Sequence, residues 1–137
     1  MELITLTDTE IIDNVLIHLQ GYVLEEKAEQ SELNDLEYDK KVSSKEILAM
    51  HRVTTSYALS YMNRRTLPTI TEEDVEVTDP IVTDAIMMWT AGKIWQKYNV
   101  RVNNNEDDTT PFGYGDKLVI QAKEILKPYK YYKMMVY

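Results

Sequence analysis

The stretch Asp79-Pro80-Ile81-Val82-Thr83-Asp84-Ala85-Ile86-Met87-Met88-Trp89-Thr90-Ala91-Gly92-Lys93-Ile94-Trp95-Gln96-Lys97-Tyr98 decides the fold. Asp is a favoured N-cap, and Pro is favoured at the first helical position, where its missing N–H costs nothing. From Ile81 to Tyr98 apolar residues stand at Ile81, Val82, Ala85, Ile86, Met87, Met88, Trp89, Ala91, Ile94, Trp95 and Tyr98. They cover well over half of a helix's circumference. Such a helix is either a central core helix, or it faces its own domain on one side and another subunit on the other. Ala91-Gly92 would let a neighbouring element approach closely, and Trp89 and Trp95 are core or interface residues.

Three further helices flank this one. Upstream, Ser43 and Glu46 form a capping box, with Val42 and Ile47 as its hydrophobic staple. The apolar face of that helix runs Ile47, Met50, Thr54, Tyr57 or Ala58, then Tyr61, and Arg64-Arg65 close it at the negative end of the macrodipole. Further upstream, Thr7 and Glu10 form a second capping box, with Leu6 and Ile11 as staple. Ile12, Val15, Leu16, Leu19 and Val23 continue at helical spacing, so the first helix is expected to fade near Glu29, weakened at Gly21. Downstream, Asp116 is the expected N-cap of a last helix with Leu118, Val119, Ala122, Ile125 and Leu126 on one face, stopped by Pro128.

The connections are less regular. Residues 30–42 are polar and mostly acidic and read as a linker. Residues 66–78 contain the alternation Val75-Glu76-Val77-Thr78, a short strand or extended loop, and Val100-Arg101-Val102 has the same character. The two are expected to pair as a small ribbon. Residues 99–115 form a long loop, of the kind that is functional or disordered in compact domains. The expectation is a mainly α protein: a small bundle of about four helices with a short β ribbon, a single domain over 1–128 and an extended C-terminal tail over 129–137.

Composition supports one domain. The chain has 137 residues, 44% hydrophobic, with four Gly, four Pro and no Cys. Absent cysteine excludes disulfides, thiolate metal sites and Cys nucleophiles. No apolar run approaches the ~18 residues that a membrane span needs, and no signal peptide opens the sequence, so the expected compartment is a cytoplasm. The net charge of −8 argues against wrapping nucleic acid. The charge is also uneven: residues 1–40 carry −9, and Lys117 to Tyr137 carry +4. Two solvated faces are the plain explanation. The sharper one is a subunit whose ends attract opposite ends of neighbouring copies.

Catalytic patterns are thin. His18 and His51 are the only histidines, and no His-x-x-x-His, Glu-x-x-His or Gly-x-Ser-x-Gly pattern occurs. A hydrolase using His51 with an acid is a remote reading. Asn103-Asn104-Asn105-Glu106-Asp107-Asp108 fails the EF-hand pattern in both registers tried, so no metal and no cofactor is expected. Phe112-Gly113-Tyr114-Gly115 is not a phosphate loop. It is a turn presenting Tyr114 either to the adjacent helix or to a partner subunit.

The tail is the least ordinary feature. Ten of the 13 aromatics are Tyr, and four of those lie in the last nine residues. Tyr129, Lys130, Tyr131, Tyr132, Lys133, Met134, Met135, Val136 and Tyr137 interleave interface-type side chains with two ammonium groups. Left in water, they would form an apolar patch that soluble monomers avoid. The tail therefore either folds back over its own core or docks on another chain, by strand addition or insertion into a groove.

Asp79-Pro80-Ile81-Val82 leading into Ala85, Trp89, Ala91-Gly92 and Trp95-Gln96-Lys97-Tyr98 resembles the head–tail connector (adaptor, or head-completion) proteins of tailed viruses. So does the later run Tyr114-Gly115-Asp116-Lys117-Leu118 with Ala122-Lys123. The resemblance covers roughly residues 43–128 and is strongest over 79–128. It implies a virion protein without enzymatic activity, made in the host cytoplasm and located in the neck between head and tail. Protomers of this kind assemble as a ring, commonly of twelve copies, beneath the portal protein and above a tail or stopper protein. DNA passes through the ring without being bound specifically, and no membrane is involved. Carried across, Tyr129–Tyr137 is the portal-docking tail. The loop with Asn103, Asn104, Asn105, Phe112 and Tyr114 is the neighbour or stopper contact. The acidic first 42 residues depart from the family pattern. The alternative is a small soluble helical regulator or protein-interaction adaptor with no virion role.

Overall fold

In a computed structural model, the structure describes residues 3, 5–29, 41–99 and 113–131. Over these residues the protein is mainly helical. The elements are α1 (Asp8–His18), β1 (Val23–Leu24), α2 (Glu25–Glu29), β2 (Lys41–Val42), α3 (Ser44–Met62), β3 (Thr69–Glu72), β4 (Val75–Thr78), α4 (Pro80–Asn99) and α5 (Tyr114–Leu126). A 3₁₀ turn, Lys127–Tyr129, follows.

Helix α4 is the spine, and its own chain covers it. Met87, Ala91 and Ile94 join one core cluster with Ile11, Val15 and Leu19 of α1, Ile47 of α3 and Leu118 of α5. Val82, Ala85, Ile86 and Trp89 join a second cluster with Ala58 and Met62 of α3 and Val119, Ala122 and Leu126 of α5. Trp89 and Trp95 are six residues apart, which turns them roughly 120° from each other around the helix. Trp89 accordingly packs in the second cluster, while Trp95 packs against the first. Of the two readings of the apolar circumference, the structure selects the central core helix.

Close backbone approach fixes α4 against α5. A Cβ placed on Gly92 would stand 2.7 Å from the Gly115 carbonyl oxygen and 2.8 Å from Val119 Cγ2. A Cβ on Gly115 would meet the Gly92 carbonyl oxygen at 2.7 Å. The neighbour that Ala91-Gly92 admits is thus the first turn of α5. Between α3 and α4 the buried Thr54 and Thr90 hydroxyls hydrogen-bond at 2.6 Å.

Local signals set the helix starts. The Thr7–Glu10 capping box is complete in both directions. Ser43 Oγ accepts from the Glu46 N–H at 3.1 Å. Asp79 Oδ1 accepts from the Ile81 N–H at 2.9 Å. The start of α3 gains a second cap from outside the helix. The Glu26 carboxylate accepts from both the N–H and the hydroxyl of Ser44, and the hydroxyl bond chiefly lowers the Glu26 pKa.

Several expectations are corrected. The first helix does not run to Glu29. It ends at His18, because the chain reverses at Gly21 (φ 81°), a conformation open to glycine. Val23-Leu24 then forms a parallel pair with Lys41-Val42, and Glu25–Glu29 is a separate turn of helix. Lys41-Val42 is therefore a strand rather than the end of a linker, whereas 30–40 lies outside the described residues. The ribbon is a hairpin of β3 with β4, in the register Thr69↔Thr78 to Glu72↔Val75. Its turn is Glu73-Asp74, both at positive φ (48° and 65°). The expected partner, 100–102, lies outside the described residues. Helix α5 starts at Tyr114, two residues before Asp116, with Gly113 as N-cap. The Asp116 carboxylate instead accepts from Gln96 Nε2 on α4.

Two substitutions test this packing. Gly92→Ala should cost about 1–3 kcal/mol, because the obstacle is largely backbone. Trp89→Ala should cost about 3–5 kcal/mol. Urea unfolding midpoints measure both, and a loss under ~1 kcal/mol for Trp89→Ala would contradict the assigned helix face.

Candidate functional site

The root of the tail is built from four elements. Pro128 cannot donate to the α-helical ladder, so α5 ends at Leu126 and tightens into the 3₁₀ turn. This turn points Tyr129 at the start of α4, where its hydroxyl donates to Asp79 Oδ2 at 2.9 Å. One carboxylate thereby caps α4 with Oδ1 and holds the tail with Oδ2. At the other end of the clamp, α3 stops at Asn63, whose φ of 57° is the left-handed cap conformation. Just beyond it, Arg64 Nε donates to the Tyr129 carbonyl at 2.6 Å. The Tyr131 N–H donates to the Met62 carbonyl at 2.7 Å, satisfying an acceptor that a helix end leaves open. Lys130 Nζ lies 4.5 Å from the Tyr61 ring centroid.

The expected tail is thus divided. Residues 129–131 hold to their own chain, with Tyr129 against the second cluster and Tyr131 58% exposed. Tyr132, Lys133, Met134, Met135, Val136 and Tyr137 lie outside the described residues. So do Asn103, Asn104, Asn105 and Phe112 of the long loop. Tyr114, from the end of that loop, is half-buried. Its ring stands edge-on to Trp95 at 4.8 Å and its hydroxyl donates to the His18 carbonyl at 2.7 Å. Burial raises its phenol pKa. Trp95 packs between Tyr114 and Tyr22, with the Tyr22 centroid at 5.6 Å. Trp89, Ala91 and Gly92 are buried.

Comparisons with protein-family models, curated proteins and solved structures return no match to this chain.

The two histidines land in different surroundings. His18 Nε2 is 3.1 Å from Asp84 Oδ1, a His–carboxylate pair between α1 and α4. His51 lies half-buried on α3, where burial lowers its pKa and the Asp8 carboxylate pulls the other way. Among the described residues neither imidazole is hydrogen-bonded to a serine or threonine hydroxyl. Nor, among those residues, does any group of three or more His, Asp or Glu side chains gather as a metal site.

Sequence reasoning missed the clamp's receiving side. Locally, Asp79 signals only a cap and Arg64 only a macrodipole partner, yet each also holds Tyr129, 50 and 65 residues away. A tyrosine directly after a helix-stopping proline was the one local signal, since its ring must return to the body or enter water.

The clamp is pH-sensitive. Burial, and then the hydrogen bond and charge of Asp79, raise the Tyr129 pKa above its ordinary value. The fold therefore favours the neutral phenol. This stabilisation is complete below the ordinary value near ~10 and is lost as pH rises through the higher folded value. Tyr129→Phe should remove that alkaline component of the stability curve, measured by urea unfolding across the alkaline range with tyrosinate absorbance as readout.

Proposed function

We propose that the protein is a structural subunit of a tailed-virus head–tail connector, acting in the virion neck without catalysis. In this reading, copies form a ring beneath the portal protein and above a tail or stopper protein, and DNA passes through without specific contacts. The observation that carries the proposal is the clamp at Tyr129. Four polar contacts fix residues 129–131 at the junction of α3 and α4. The aromatic, lysine-bearing sequence Tyr132-Lys133-Met134-Met135-Val136-Tyr137 continues from that fixed point. Anchoring one end of a docking segment lowers the entropy it loses on binding. The docking element is then Tyr131–Tyr137, with Tyr129 and Lys130 as its foundation.

Two other features support a structural role. Most of the apolar surface of helix α4 is covered by its own chain, which gives a packed body to carry the docking elements. The sequence from Asp79 to Lys123 also keeps the residues that carry the family resemblance. The neighbour or stopper contact falls to the loop containing Asn103–Asn105 and Phe112, while Tyr114 secures its downstream end.

Removal of residues 132–137 leaves every clamp contact in place and tests the proposal. Circular dichroism and the urea midpoint should match the full chain, while co-purification with a portal ring should be lost. Undiminished portal capture by the shortened chain would overturn the reading.

A further inference from the structure

We infer that the groove between α3 and α5 receives the acidic β3–β4 hairpin of a second copy of this chain. The inference deepens the ring reading and rests on it. Trp89 of α4, 4% exposed, is buried beneath the line where α3 and α5 flank α4. Tyr57 and Tyr61 of α3 stand over it, each with its ring centroid 6.3 Å from that of Trp89. Three ammonium groups from three elements surround these rings. Lys123 Nζ of α5 is 5.4 Å from the Trp89 ring, Lys93 Nζ of α4 is 6.0 Å from Tyr57, and Lys130 Nζ is 4.5 Å from Tyr61. Among the described residues neither Lys93 nor Lys123 has a carboxylate partner. Tyr57 is 48% exposed, so apolar ring surface and positive charge are presented together.

Two properties of the chain choose the occupant. A molecule with net charge −8 is repelled by its own copies and by nucleic acid, unless charges are matched locally. The hairpin supplies that match. Glu72, Glu73, Asp74 and Glu76 fall within five residues and no base lies between Arg65 and Lys93. Glu72, Glu73 and Asp74 are exposed, and none of the four has an ion pair among the described residues. The hairpin also carries Val75, a half-buried apolar side chain beside the acidic turn.

The contact joins different surfaces of the two copies. Near the start of α1, Glu72 and Val77 of the hairpin line a cavity of about 240 Å³ with Leu6, Glu10 and Pro80. The groove is built from α3, α4 and α5. Where each pair of copies shares one such contact the interface is heterologous, and its repetition closes into a ring or continues as a filament. The acidic cluster and the aromatic–lysine groove thus become two halves of one interface.

A charge swap on the full-length chain tests the pairing by sedimentation equilibrium. Lys93→Glu with Lys123→Glu makes the groove acidic, and Glu73→Lys with Glu76→Lys makes the hairpin basic. Each double variant alone should self-associate at least about tenfold more weakly than the wild type, and wild-type association should weaken as salt is raised. An equimolar mixture of the two variants should recover association, because each groove then meets a hairpin of opposite charge. Lys93→Gln with Lys123→Gln, which keeps the side-chain stems, should also weaken it. A mixture that stays monomeric, variants that associate like the wild type, or a wild-type chain monomeric up to ~1 mM would overturn the inference. Removing residues 132–137 should leave this association intact, and the acidic-groove variant should still bind a portal ring through its tail. Failure of the groove contact is thereby separated from failure of the connector reading.

Discussion

Helix α4 carries apolar side chains around most of its length and circumference, and the other elements are arranged to cover them. Two core clusters lie on it, one shared with α1 and one with the second half of α3, and α5 contributes to both. The two glycines at the α4–α5 crossing let a carbonyl oxygen of each helix occupy the space where the other would carry a methyl group. That approach brings Leu118 into one cluster and Val119 into the other, so a single short helix closes both. Packing within the chain buries most of the apolar surface of α4, with Ile81 at its start and Lys93 beside Tyr57 among the parts that reach the surface. In the proposed connector, contacts with other molecules fall mainly to what surrounds α4: the tail root, the hairpin and the outer surfaces of α3 and α5.

Asp79 connects the spine to that periphery. Its side chain caps α4 and binds Tyr129, while its N–H donates to the Pro68 carbonyl at 2.9 Å. The start of the central helix, the base of the hairpin and the exit of the tail consequently meet at one residue. In the proposed connector, a pull on the tail would be borne by the α3–α4 junction rather than by α5 alone. In the same picture, the acidic hairpin and the lysine-topped tyrosines favour contact between copies despite their net repulsion.

The sequence was most readable where structure depends on near neighbours. The caps at Thr7, Ser43 and Asp79 span two or three residues, and each is present. The all-round apolar pattern of α4 left a central helix and a subunit-facing helix both open, and it took the burial of both sides by α1, α3 and α5 to favour the first. Errors arose where a distant contact or an unusual backbone intervened. Leu19 and Val23 keep helical spacing, but Gly21 turns the chain between them. The hairpin escaped notice because Glu73-Asp74 makes a turn usually given to Asn-Gly or Asp-Gly. Asp116 looked like a cap because nothing local reveals that Gln96 claims its carboxylate. Of the candidate site, the tail's composition was legible. The Asp79, Arg64 and Met62 partners were not, since they lie 50 to 69 positions upstream of the residues they hold.

The central claim is that α4 is completed within one chain, leaving assembly to peripheral surfaces. Amide hydrogen exchange on the dilute, monomeric protein tests it most directly. The account predicts that the amides from Val82 to Ile94 exchange only through global unfolding, with an opening free energy equal to that from urea denaturation. Faster exchange of these amides in the monomer, slowing only when copies associate, would contradict it and make α4 an interface helix.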